Sequence, residues 1–125
     1  MKKINNPLET EEQQAVVQFL EMKGLKFSAI PNSTYTKSWS QKAKNKADGL
    51  RAGLPDLLIV LPSKLLFIEM KRLKGSVVST VQKEWIEALN DINKSIEAVV
   101  CKGAEEAIYK INSEINKELL KPYRV

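Results

Sequence analysis

Histidine is absent from this 125-residue chain, and cysteine occurs once. Without an imidazole there is no Ser-His or Cys-His couple and no histidine-ligated zinc, so enzyme chemistry here has to run on carboxylates, lysines and a hard metal. The lone Cys101 cannot form a disulfide within the chain. It sits in the apolar run "EAVVC", where a small buried thiol is expected rather than a nucleophile, and it suits a reducing cytosol. Long hydrophobic runs are also missing: no segment approaches the roughly 18 continuous apolar residues of a membrane span, and the start "MKKINNPLETEEQQ" lacks the apolar centre of a signal peptide. An intracellular, cytoplasmic protein without a membrane partner is expected. With no repeats or low-complexity tracts, residues 1–125 read as a single domain.

What is present is ordinary in amount and uneven in placement. Hydrophobic residues make up 43 % and charged residues 28 %, enough to bury a core. The net charge of +5 is modest, but four of those five charges fall between Lys37 and Arg51, where Lys37, Lys42, Lys44, Lys46 and Arg51 face the single acid Asp48. With Tyr35 and Trp39 beside it, this patch suits a nucleic-acid backbone; a solvated surface helix is the plainer alternative. Lys64, Arg72 and Lys74 add cations around the hairpin described below.

The periodicity predicts the order α-β-β-β-α-β-α, with the basic residues 31–52 forming a loop or an exposed helix after the first strand. "NPLETEEQQAVVQFLEMKG" is a helix with Thr10 and Gln13 at capping-box spacing and Val16, Val17 and Leu20 as its stripe. "LKFSAI" is a short strand. "DLLIVL" and "KLLFIEMK" are strands joined by Pro62 and Ser63. "GSVVSTVQKEWIEALNDIN" is a helix capped by Ser79 and Gln82, with Val81, Trp85, Ala88, Leu89 and Ile92 on one face; Trp85 reads as core. "SIEAVVC" is a strand, and "GAEEAIYKINSEINKEL" is a helix with Ala107, Ile108, Ile111 and Ile115 as its buried stripe. The tail 119–125 is expected to fray. This pattern is mixed α/β, a small sheet flanked by helices.

Two apolar strands in "GLPDLLIVLPSKLLFIEMKRLKG" carry Asp56, Glu69 and Lys71, where a buried hairpin would ordinarily hold no charge. Strand alternation puts Glu69 and Lys71 on one face, and an antiparallel hairpin turning at Pro62 and Ser63 brings Asp56 alongside them. A Glu-x-Lys alone is most often a strand leaving the core with a weak surface ion pair. Two carboxylates from adjacent strands with a lysine beside them can instead hold a divalent cation and position a water against a phosphodiester.

"GLPDLLIV" followed by "LLFIEMKRLKGSVVSTVQKEW" resembles the PD-(D/E)xK nuclease superfamily, with its restriction-endonuclease-like core, and within it the VRR-NUC family of virus-type replication-repair nucleases. The Pro-Asp of the motif is Pro55 and Asp56, and its Glu-x-Lys is Glu69, Met70 and Lys71. "EEQQAVVQFL", "AIPN", the glutamine of "VQKEW" and "VVCKGAEEAI" extend the likeness over nearly the whole chain.

The resemblance implies a Mg²⁺- or Mn²⁺-dependent endodeoxyribonuclease. Asp56, Glu69 and the backbone carbonyl of Met70 would hold the metal, Lys71 would orient the attacking water, and Gln82 would touch the site from the next helix. An acid of the first helix would join them, Glu11 or Glu12, with Glu12 favoured because it lies one turn before Val16. Lys37, Lys42, Lys44, Lys46, Arg51, Arg72 and Lys74 are the candidate DNA contacts. No nucleotide cofactor is expected. Compact stand-alone members resemble Holliday-junction resolvases and are homodimers, with phages and mobile elements as their setting; branched DNA is therefore the expected substrate. Cleavage of plain duplex or single strands, and a non-catalytic DNA-binding module, are the alternatives.

Overall fold

In the computed structural model, which describes residues 6–31 and 38–119, the chain forms a four-stranded sheet with helices on both faces. Its elements are α1 (Glu9–Met22), β1 (Lys26–Ala29), α2 (Trp39–Ala47), β2 (Leu57–Leu61), β3 (Lys64–Lys71), α3 (Thr80–Asn90), β4 (Ile96–Lys102) and α4 (Gly103–Leu119). The order in the sheet is β1-β2-β3-β4; the first two pairings are antiparallel, and β3 and β4 run parallel. Pro62 and Ser63 make the hairpin turn, with Leu61 opposite Lys64 and Leu57 opposite Ile68. A parallel neighbour needs a crossover, and α3 provides it.

Alternation along the strands divides the sheet into two faces. Leu57, Ile59 and Leu61 of β2, Leu66, Ile68 and Met70 of β3, and Cys101 of β4 point into a core completed by Val16, Phe19 and Leu20 of α1 and by Ala104, Ala107 and Ile111 of α4. Ile108, Ile115 and Val17 pack at its edge, as the stripes on these helices require. Burial also pushes the Cys101 thiol up to about 12, which leaves it an inert core group. At the hairpin-turn end of this side, Lys64 bonds Glu97 at 2.6 Å and Glu114 at 3.1 Å, and Lys110 bonds Glu97 at 2.8 Å. Lys64 is thus tied up at the opposite end of β3 from Glu69 and Lys71 and adds no charge there.

Two expectations change, and one open alternative is resolved. The helix start at Thr10 and Gln13 is not a capping box: Leu8 is the N-cap and offers no side-chain bond, while Glu9, Glu11 and Glu12 occupy the first turn. Thr10 already lies inside that turn, so its hydroxyl cannot cap it. The α3 stripe is not core, for no residue of this helix is buried and Val81 is 44 % exposed. Trp85 is half-buried, and its indole N–H donates to the Ala52 carbonyl at 3.1 Å, seating α3 on the turn before β2. Gly53 has φ 99° in that turn, where a Cβ would come within 2.5 Å of Val81 Cγ1; closeness to α3 is what demands glycine here. The basic segment resolves into α2, an exposed helix with no buried residue, capped by the Ser38 hydroxyl on the Gln41 N–H. Tyr35, Lys37 and the tail beyond Leu119 lie outside the described residues. Among the described residues no helix is long and apolar enough to cross a membrane.

Candidate metal centre

Asp56 stands just before β2, one of the two central strands of the sheet. Its N–H donates to the Ile68 carbonyl of β3 at 3.0 Å and its carbonyl accepts from Ile30 at 2.8 Å, so the residue is held from both neighbouring strands. Its side chain is oriented by the same neighbour: the Met70 N–H donates to Asp56 Oδ2 at 2.7 Å. Met70 itself sends its side chain into the core.

Glu69 and Lys71 stand on the opposite face of β3, toward α3, and both are buried, at 1 % and 7 % exposure. Lys71 Nζ lies 3.4 Å from Glu69 Oε2 and donates to Gln82 Oε1 at 3.1 Å. Gln82 Nε2 in turn donates to Glu69 Oε2 at 3.2 Å. Gln82 is simultaneously the N3 residue of the α3 capping box, its Oε1 accepting from the Ser79 N–H at 2.9 Å. One amide therefore fixes the start of α3 and couples it to the lysine and the glutamate.

The third carboxylate comes from α1, and it is Glu9. One oxygen from each of Glu9, Asp56 and Glu69 lies within 4.8 Å of the others. Glu12, the residue favoured from the sequence, is elsewhere: its Oε2 accepts from the Ala104 N–H at 2.8 Å and caps the start of α4. Glu11 is exposed. Glu9 and Glu12 stand two turns and one turn before Val16, on the same side of the helix, so the stripe admits both. Only the place where α1 crosses the sheet and meets α4 separates their roles.

The cluster is electrostatically uncomfortable by itself. Burial, then the Asp56 carboxylate, pushes Glu69 up to about 8, with Lys71 opposing. Glu9 is raised by the same two causes in the same order, with Lys71 and Arg72 opposing. With both carboxylates ionised, Glu69 Oε1 is buried without a hydrogen-bond donor, and a proton shared with Asp56 or a cation is what would satisfy it. Three converging carboxylates, one of them with an orphaned oxygen, fit a hard divalent cation with oxygen ligands, and not a thiolate- or imidazole-seeking metal.

The candidate DNA contacts divide. Lys42, Lys44 and Lys46 are exposed on α2, with Lys42 Nζ 4.7 Å above the Trp39 ring and Lys44 paired with Asp48 at 2.6 Å. Arg51 turns back to the end of α2, donating to the carbonyls of Lys46 at 3.1 Å and Leu50 at 3.0 Å. Arg72 reaches the carbonyls of Pro7 at 3.2 Å and Asn6 at 2.8 Å. The Lys74 backbone bonds the Asn6 amide while its side chain is exposed.

The VRR-NUC domain family matches residues 2–105. A solved structure described as a "VRR_NUC domain protein" superposes with a TM-score of 0.73 at 29 % identity, over 90 % of this chain and 91 % of that one. No curated protein matches. The mixed sheet with its flanking helices is the nuclease fold of that relative, and the family match spans the Pro55–Asp56 turn, the Glu69–Lys71 strand and the start of α3. The chain belongs to the VRR-NUC family of nuclease domains.

Proposed function

We propose that residues 1–125 act as one Mg²⁺- or Mn²⁺-dependent endodeoxyribonuclease domain, working as a homodimer on branched DNA in the manner of a Holliday-junction resolvase. The observation that carries this reading is the Glu9–Asp56–Glu69 cluster, half-buried at Glu9 and Asp56 and fully buried at Glu69, with its orphaned oxygen and a lysine beside it. Asp56, Glu69 and Glu9 would hold the ion, with the Met70 carbonyl at the same strand end. A cation held there would polarise a phosphodiester and neutralise the charge that builds on the phosphate.

The chain's own groups do the rest. Lys71, oriented by the Gln82 amide, is placed to align an attacking water and to stabilise the phosphate as its negative charge grows. Asp56 keeps its aim through the Met70 N–H. The lysines of α2 supply phosphate contacts away from the carboxylates. A module that only bound DNA would have no use for three carboxylates set against a polyanion, which argues against a non-catalytic role.

Branched DNA is the substrate that the likeness to junction resolvases suggests, and its stoichiometry calls for a dimer. One such site makes one nick, whereas resolving a four-way junction takes two opposed cuts, and a two-fold dimer supplies both. Apolar side chains remain outside the core, with Val81 44 %, Ile92 59 % and Val77 82 % exposed on or beside α3. The test is to incubate the purified protein with Mg²⁺ or Mn²⁺ and labelled four-way, flap, duplex and single-stranded DNAs, with and without EDTA. Paired metal-dependent cuts on the four-way substrate are expected. Preference for plain duplex or single strands would replace the branched-DNA reading, and full activity in excess EDTA would end the metal reading.

A further inference from the structure

The start of α1 has no side-chain cap, yet it carries one of the three clustered carboxylates. Leu8 caps it without a side-chain bond, and Pro7 and Asn6 precede it as irregular chain. What holds this stretch is the end of β3. The Arg72 guanidinium forks onto two successive carbonyls, Nε donating to Pro7 at 3.2 Å and Nη2 to Asn6 at 2.8 Å. The Asn6 side chain completes the clasp, its Nδ2 donating to the Lys74 carbonyl at 3.2 Å and its Oδ1 accepting from the Lys74 N–H at 3.3 Å. The loop bearing the clasp is itself tied, since the Arg72 N–H donates to Ser76 Oγ at 3.2 Å.

We infer that Arg72 and Asn6 are positioning residues: they anchor the segment entering α1 to the strand that carries Glu69 and Lys71, and so set Glu9 against Asp56 and Glu69. Resting on the metal-nuclease reading, this assignment removes Arg72 from the DNA contacts and gives it a task that charge alone does not perform. A planar fork spans two adjacent carbonyls; an ammonium on a flexible stem offers a point charge instead. Asn6 has no charge at all, so a matching effect from both residues separates clasp from phosphate contact.

The experiment is calorimetric titration of Mn²⁺ into the full chain without DNA, for the wild type, Asn6→Ala, Arg72→Lys, Glu9→Gln and the two double variants carrying Glu9→Gln. Arg72→Lys and Asn6→Ala are each expected to weaken Mn²⁺ binding by roughly tenfold, as loss of a ligand-orienting group does. On the Glu9→Gln background neither should weaken it further, because the carboxylate they position is gone. Effects that multiply with Glu9→Gln would overturn the assignment. So would an Arg72→Lys protein with wild-type Mn²⁺ affinity and lowered affinity for DNA in Ca²⁺, the signature of a phosphate contact. Hydrogen exchange reads the clasp independently of metal: the Glu12 amide, bonded to the Leu8 carbonyl at 3.0 Å, should exchange faster in both single variants. If the wild type binds no Mn²⁺ the metal reading fails, and exchange alone decides the clasp; unchanged exchange at α1 would refute it.

Discussion

Glu69 is 1 % exposed and its carboxyl is pushed up to about 8, first by burial and then by Asp56. Its ordinary value is 4.5, so between pH 4.5 and about 8 the folded protein retains a proton that the unfolded chain has released. Stability from this group therefore falls as pH rises through that window and levels off above it. Glu9, raised as well, acts in the same sense. In EDTA the melting temperature should decline from about pH 5 to about pH 8, and Glu69→Gln should flatten the decline and melt higher at the upper end. Metal must displace the proton, so stabilisation by Mg²⁺ should grow with pH in the wild type and vanish in Glu69→Gln. A wild-type melting curve with no pH dependence beyond that of the variant would show that the cluster carries no such strain. For catalysis, Asp56→Ala, Glu69→Ala or Lys71→Ala should each cost several orders of magnitude in cleavage rate with the fold retained, checked by single-turnover assay beside circular dichroism.

The elements bring these residues together through their ends. Glu9 and Glu12 leave one helix on one side and do different things, one joining the carboxylates and one capping α4. Glu12→Ala should cost about 0.5–2 kcal/mol in urea unfolding with cleavage preserved at low temperature, whereas Glu9→Ala should lose cleavage at little cost in stability. The opposite pattern would restore Glu12 to the site. Gly103 belongs to the same junction: its φ is 81°, and a Cβ there would come within 2.6 Å of Glu12 Oε2, so Gly103→Ala should destabilise by about 1–3 kcal/mol. Helix α2 contributes by charge, having nothing buried. Neutralising Lys42, Lys44 and Lys46 together should weaken DNA binding and flatten its salt dependence by about one unit of slope per lost phosphate contact, leaving Mn²⁺ affinity unchanged. Unaltered affinity and slope would make α2 a solvated surface only.

At the scale of the molecule, the core face and the strand ends divide stability from chemistry. The face toward α1 and α4 holds the core and the Lys64–Glu97–Lys110–Glu114 ion network, and the ends of β2 and β3 at the other extreme carry the carboxylates. Helix α3 covers the second face without burying any residue of its own. A dimer that used this side would cover Val81 and Ile92 and place two catalytic sets on one substrate. Light scattering at micromolar concentration is expected to give twice the 14.1 kDa chain mass. A strict monomer, still monomeric on four-way DNA, would move the assignment to single-nick cleavage.

Much of this was legible in the chain because it is local. Alternation in "KLLFIEMK" placed Glu69 and Lys71 on one face, the turn at Pro62 and Ser63 set the hairpin register that brings Asp56 beside them, and Ser79 and Gln82 announced a capping box that the structure contains. These features depend on neighbours within a few residues, where pattern and geometry coincide. Glu9 was not legible, since the α1 stripe accepts it as readily as Glu12 and the choice lies in how the helix meets β2 and β3, strands that begin dozens of residues later. Nor was Arg72, whose partners are the carbonyls of Asn6 and Pro7 at the other end of the chain. The α3 stripe misled for a related reason: amphipathic spacing says which face is apolar, but only the finished packing decides whether anything in the same chain covers it.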